Sequence, residues 1–230
     1  MAASASPRTA LSTTSDAMTE AADAALAACV SEIRACRICR DHPRGAALPH
    51  EPRPVVRVST TARIAVCGQA PGTRVHASGL PFSDPSGVRL RGWMGVTEAE
   101  FYDERRVAVI PMGFCFPGLD ATGGDLAPRR ECAETWHEKL FAQLPQLDLL
   151  LLVGGYAQRW HLPRYATQSL AITVADWRDI VGAGHSRTHA KITILPLPHP
   201  SWRNNGWLKA RPWFESDLLP ELRAMVRERL

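Results

Sequence analysis

The sequence predicts an α/β domain of three layers, a parallel sheet with helices on both faces, and three observations predict it. Four short apolar runs recur along the chain: residues 63–67 (RIAVC), 107–112 (VAVIPM), 147–153 (LDLLLLV) and 191–197 (KITILPL). Each is nearly continuous in apolar character rather than alternating, the pattern of strands buried on both faces. Segments of helical pattern separate them, and strand–helix alternation builds this architecture.

Taken in order, residues 1–16 are rich in Ala, Ser and Thr without periodicity and read as a disordered tail. A single domain is expected over 17–230. Residues 16–40 carry Ala, Leu, Val and Ile at three- and four-residue spacings and read as helical. A polar, Pro-rich connection, DHPRGAALPHEPRPV, leads to the first strand. Residues 86–95 suit a helix. Residues 128–144 suit one better, with Pro128 at the start and Trp136 and Leu140 four apart. Weaker helical signals lie at 157–160 and 166–180, and residues 213–230 close the chain as an amphipathic helix.

Composition narrows the class. Of 230 residues, 45% are hydrophobic and 22% charged, ordinary for a globular protein and unlike a disordered or fibrous chain. The most apolar run, 147–153, is interrupted by Asp148 and falls far short of the roughly 20 residues of a membrane span. The N-terminal segment has no apolar h-region, so a cytoplasmic location is expected. Lys and Arg total 27 against 23 acids, a net charge of +4 that suits a polyanionic partner without demanding one. There are six cysteines, and an intracellular chain of this size does not call for a disulfide framework.

Open parallel sheets place their sites just beyond the carboxyl ends of the strands. Four unusual loops follow the four runs: Gly68-Gln69-Ala70-Pro71-Gly72, Gly113 to Gly118 (GFCFPG), Gly154 to Gln158 (GGYAQ), and His199-Pro200-Ser201-Trp202. They are expected to converge on one rim. GQAPG taken alone suits an ordinary βα turn first, and also a turn whose backbone approaches a ligand with the Gln69 amide beside it. It lacks the spacing of a dinucleotide fingerprint. In HPSWRNNGWLKARPWF, Trp202, Trp207, Trp213 and Phe214 interleave with Arg203, Lys209 and Arg211. Such alternation fits a single-strand or flipped-nucleotide surface, and also a loop whose tryptophans pack inward. In GLPFSDPSG, Phe82 is either a stacking face or a buried loop aromatic, and Asp84 or Ser86 is placed to cap the next helix. Cys36-x-x-Cys39 with Cys115 and Cys132 forms two pairs of thiols able to enclose an iron–sulfur cluster or a zinc ion, or else four unrelated buried cysteines. Cys29 and Cys67 read as small buried hydrophobes.

The order of these pieces resembles the uracil-DNA glycosylase superfamily, and looks closest to its iron–sulfur, family 4-like bacterial branch. The likeness runs from about Cys36 to the C-terminus. It implies a three-layer α/β/α fold around a central four-stranded parallel sheet, and a DNA glycosylase that flips uracil or a related deaminated base and hydrolyses its N-glycosidic bond. DNA is the implied partner, and the bacterial nucleoid the implied place of action. By this resemblance Gly68, Gln69, Ala70, Pro71 and Gly72 form the water-activating, phosphate-facing first motif, and Phe82 stacks on the extruded base. His199 serves the base carbonyl, and Ser201 contacts phosphate or the minor groove. Trp202 and Arg203 follow in the DNA-facing segment. Cys36, Cys39, Cys115 and Cys132 would hold a [4Fe–4S] cluster, with zinc as the alternative.

Two departures stand out. GQAPG contains no carboxylate, and Asp84 is the nearest substitute. Where one branch has a base-reading asparagine, this chain has Pro111 and Met112, which leaves the base-edge contact unassigned, with Met112 among the candidate substrate-binding residues. The rival readings are a non-catalytic nucleic-acid-binding protein on the same scaffold, and an unrelated metal-binding α/β hydrolase.

Overall fold

The computed structural model describes residues 10–183 and 192–230, with side chains from residue 16 onward. The chain opens with helix α1 (Ala10–Arg34) and the single turn α2 (Ile38–Asp41). Strand β1 (Ile64–Cys67) is followed by α3 (Thr73–Ser78), α4 (Pro85–Met94) and α5 (Glu98–Tyr102). Then come β2 (Val107–Val109), α6 (Arg130–Phe141), β3 (Leu149–Val153), α7 (Gly155–His161), α8 (Leu170–Ala175) and α9 (Trp177–Ala183). After β4 (Thr193–Leu197) the chain forms α10 (Asn205–Lys209), a wide turn at Phe214–Leu218, and α11 (Leu219–Arg227).

The four strands make one sheet in the order β2-β1-β3-β4, every pair parallel. Ile64 pairs with both Val107 and Leu149, and Leu149 with Thr193. Alternate residues of each strand feed two separate cores. Ala65, Cys67, Ala108, Ile110, Leu150, Leu152 and Ile194 pack under α1 and α6, against Ile33, Trp136 and Leu140. Ile64, Val66, Val107, Val109, Leu149, Leu151, Leu195 and Leu197 pack on the other face, against Leu90, Phe101, Phe214 and Leu222. A sheet covered on both sides has no solvent face to keep polar, which is why the strand runs read as unbroken apolar stretches.

Some boundaries differ from the sequence reading. The first helix begins at Ala10, inside the segment expected as tail, and breaks at Arg34 rather than running to residue 40. The 166–180 segment is two helices, because α8 ends at Asp176. Three short helices, α3, α5 and α10, were not expected. A sequence signal existed for α5, where Thr97 and Glu100 form a capping box of reciprocal side-chain-to-backbone bonds. Part of the fourth strand run, residue 191, lies outside the described residues. Among the described residues no helix is long and apolar enough to cross a membrane.

Behind the sheet edge, α6 carries a fully buried histidine. The His137 ring stacks 5.7 Å from that of Phe114, and its Nε2 donates to the Pro111 carbonyl at 3.1 Å. Burial holds its pKa down to about 4, whereas an unfolded histidine titrates near about 6.5. Between those values the unfolded chain binds a proton that the folded chain refuses. Stability from this group is therefore complete above about pH 6.5 and is lost as pH falls toward about 4. Urea titrations across that interval should show a shallower acid decline for His137→Phe than for wild type. Equal slopes in the two proteins would contradict this account.

Candidate functional site

The carboxyl ends of the strands open into a cleft of about 230 Å³. Its floor and walls come from Gly68 to Val75, from Val109 at the end of β2 and Pro111 just beyond it, from Pro81, Phe82, Asp84 and Ser86, and from Asp125 and His199. The first and fourth loops thus meet, as expected. The second does not: Pro111, which precedes it, lines the cleft, but none of Gly113 to Gly118 does, and the third only supports from behind.

The Phe82 turn is held by close approach and by hydrogen bonds. Phe82 has φ +54, the left-handed region that non-glycine residues seldom occupy, and a conformation of this kind costs on the order of 1–3 kcal/mol. What over-determines it is visible around it. The buried Arg91 donates to the Phe82 carbonyl at 3.2 Å, and the Tyr102 hydroxyl donates to the Pro81 carbonyl at 2.9 Å. Asp84 caps α4 by accepting from the Gly87 N–H at 3.1 Å, with Pro85 in the first helical turn. The Phe82 ring meets Phe101 edge-on at 6.0 Å. Its tip lies over Gly68, where an added Cβ would stand 3.2 Å from it. Glycine at 68 therefore lets the ring lie directly on the end of β1.

His199 follows β4 and is mostly enclosed. The Ser201 N–H donates to its Nδ1 at 3.2 Å, and Asn204 donates from its side chain to the His199 carbonyl at 2.6 Å. An Nδ1 that accepts leaves Nε2 as the protonated, donating nitrogen of the neutral ring. Burial lowers the His199 pKa below the usual value, while Asp84 and Asp125 pull it upward and Arg203 pushes it down. The imidazole is thus held neutral near pH 7. Gly154, at φ +88, brings the third loop alongside, where a Cβ would lie 3.7 Å from that of His199. Gln158 ties the ends of β3 and β4 by donating to the Leu152 and Leu197 carbonyls.

The remaining expected residues divide. Gly68, Gln69, Ala70, Pro71, Gly72, Phe82, Asp84 and His199 line the cleft together. Ser201 sits beside His199, its carbonyl accepting from Arg89 at 3.2 Å. Trp202 is 72% exposed, with the Arg203 guanidinium 5.4 Å over its ring, so both stand outside the cleft on the surface next to it. Met112 does not reach the cleft. It shares the parity of Ala108 and Ile110 and is buried in the core under α6, whereas Pro111, in the parity of Val109, faces the site. Of the four interleaved aromatics only Trp202 is free to stack. Trp207, Trp213 and Phe214 pack edge-on against one another over the second core.

Asp125 is the residue that sequence reasoning passed over. It lies on the long connection between β2 and α6, and a Cβ at Gly72 would stand 3.2 Å from its Oδ2. Burial of the carboxyl raises its pKa, Arg203 and His199 lower it, and Asp84 and Asp120 raise it further.

The four cysteines meet at a second place. Cys36, Cys39, Cys115 and Cys132 line one small pocket with Ile33, Phe114 and Trp136. The Phe114 N–H points at the Cys132 sulfur at 3.2 Å and the Trp136 indole N–H at the Cys36 sulfur at 3.3 Å. Among the described residues, no three His, Cys, Asp or Glu side chains converge closely enough to hold a single ion. Cys67 is buried in β1 and burial raises its thiol pKa, as for a core residue, while Cys29 packs against the same core.

A family model described as the uracil DNA glycosylase superfamily matches residues 56–223. The matched segment contains every residue of the cleft wall except Val55, together with Cys115 and Cys132; Cys36 and Cys39 precede it.

The Phe82 turn supplies a direct test. A Cβ at Gly87 would lie 1.7 Å from the Phe82 carbonyl oxygen, while one at Gly92 in the same helix meets nothing within 4 Å. Gly87→Ala should destabilise by about 1–3 kcal/mol in urea unfolding, and Gly92→Ala should be neutral or stabilise by up to about 1 kcal/mol. The same unfolding midpoint for both variants would show that the contact does not constrain the turn.

Proposed function

The chain belongs to the uracil DNA glycosylase superfamily, and on that premise we propose that it removes uracil or a related deaminated base from DNA by hydrolysing the N-glycosidic bond, the first step of base excision repair. One observation carries the reading: a rigidly held phenyl ring and an imidazole whose Nδ1 accepts from the Ser201 amide share a single cleft at the carboxyl end of a parallel sheet, inside the matched region.

A base inside a duplex is out of reach, so the nucleotide must leave the stack at a cost of a few kcal/mol. The surface beside the cleft offers compensation. Trp202 presents an exposed aromatic face, and Arg203 offers a cation for the phosphates. In the cleft the base lies against Phe82. As the glycosidic bond breaks, positive charge grows on the sugar and negative charge on the base. The Nε2–H of His199, its tautomer fixed by the Ser201 amide, donates to the developing base oxyanion. A neutral donor suits this task, because the charge it meets is created during the reaction.

We propose that the four cysteines would hold an iron–sulfur cluster, with zinc as the alternative. Four thiols line one pocket, and two N–H groups are aimed at their sulfurs. When bound, such a cluster would crosslink the end of α1 and α2 to the β2 loop and α6.

Two measurements test these readings. Incubated with single- and double-stranded oligonucleotides bearing uracil, hypoxanthine or xanthine, the protein should release free base, and His199→Ala should slow release roughly a hundredfold. Absence of release from every substrate, with DNA binding intact, would replace the enzyme by a binding protein on this scaffold. Anaerobically purified protein should contain iron and acid-labile sulfide, both lost in Cys132→Ser; zinc in their place would overturn the cluster.

A further inference from the structure

We propose, building on the glycosylase reading above, that Asp125 is the carboxylate that takes the proton from the attacking water, delivered by the ribbon between β2 and α6 rather than by the first turn.

The first turn has no acid of its own, and its one functional side chain is committed elsewhere. Gln69 donates from its amide nitrogen to the Leu126 carbonyl at 3.2 Å, fastening the turn to the residue next to Asp125. The ribbon is braced on itself. The Leu126 N–H bonds to the Gly118 carbonyl at 3.0 Å, the Asp120 N–H to the Gly124 carbonyl at 2.8 Å, and Leu119 bridges Asp125 in antiparallel fashion. At its tip the Asp120 carboxylate accepts from the Thr122 and Gly124 N–H groups at 2.8 and 2.9 Å. Gly118 and Gly123, at φ +102 and +80, make the turns. A loop held in this way can present a side chain in a fixed place. The place is the cleft, beside Gly72 and in the same cavity as Phe82 and His199.

Asp84, the other carboxylate in the cleft, is less suited. One of its oxygens already accepts the Gly87 N–H that begins α4, which commits that carboxylate to the helix cap. Among the described residues the Asp125 carboxylate accepts no hydrogen bond. The groups that act on it are Arg203 and His199, which lower its proton affinity, and Asp84 and Asp120, which raise it together with burial.

The step balances as a hydrolysis. The water oxygen forms a bond to C1′ while one of its protons passes to the Asp125 carboxylate. The C1′–N bond breaks and its electron pair leaves with the base, held by the Nε2–H of His199. The products are a C1′–OH abasic sugar, the base anion and a protonated Asp125, which loses its proton to the base or to solvent. Gln69 and Gly72 are positioning residues in this scheme.

Single-turnover base release from a uracil-containing oligonucleotide, followed against pH, tests the assignment. Asp125→Asn should slow release by about a hundredfold or more, remove the decline in rate on the acid side, and leave oligonucleotide binding and the melting temperature close to wild type. Gly72→Ala pushes on the carboxylate without removing it, so it should slow release yet keep the acid decline. If wild type releases base and Asp125→Asn does so within about threefold, the assignment falls while the glycosylase reading stands. Loss of the acid decline in Asp84→Asn but not in Asp125→Asn would give the role to Asp84. A wild-type protein that releases no base overturns both readings together.

Discussion

The contact between the Phe82 carbonyl and the first turn of α4 is the constraint from which the cleft takes its shape. Only a residue without a side chain can occupy position 87, since an added Cβ would overlap the carbonyl oxygen. That approach lets the helix begin immediately beneath the loop, with Asp84 capping it and Arg91 reaching back from one helical turn further on to hold the same carbonyl. The strained φ of Phe82 follows from the same packing and aims the ring over Gly68. A phenyl face fixed in this way carries no rotamer entropy to lose when a planar ligand arrives.

Opposite the ring, the electrostatics of the cleft depend on a histidine kept neutral among charges of both signs. Burial discourages protonation of His199, Arg203 adds to that, and Asp84 and Asp125 resist it. The Ser201 amide then decides which nitrogen carries the proton. The carboxylates would gain most from a charged imidazole, so the neutral state rests on enclosure by the loops after β1 and β4. The same enclosure raises the proton affinity of Asp125. One cleft thereby brings together an imidazole whose protonation is disfavoured and a carboxylate whose proton affinity is raised.

Beyond the cleft, the loop after β2 links two sites. It passes Pro111 into the cleft, places Cys115 among the other thiols, turns through the ribbon that carries Asp125, and enters α6 with Cys132. Arg129, at the start of that helix, donates to the Cys39 and Ala46 carbonyls, binding the N-terminal connection to the same corner. The cysteine pocket and the ribbon are therefore mechanically continuous, although only the ribbon touches the cleft.

Much of this was legible in the sequence. Continuous apolar runs separated by helical segments determined a covered parallel sheet, the rule that sites form beyond strand ends led to Gly68–Gly72 and His199, and the glycine-flanked loop GLPFSDPSG pointed to Phe82. Even the error at Met112 was avoidable, since its parity with Ala108 and Ile110 already placed it under the sheet. Periodicity determines which way a residue faces along an element, because that follows from local geometry alone. What only the tertiary structure decided was proximity between segments far apart in sequence. Three tryptophan-loop aromatics turned inward, four thiols gathered in one pocket, and Asp125 swung back over Gly72. Those outcomes depend on how a long connection closes on itself through hydrogen bonds at Asp120 and Gln69, and no short-range pattern in the chain encodes where such a closure ends.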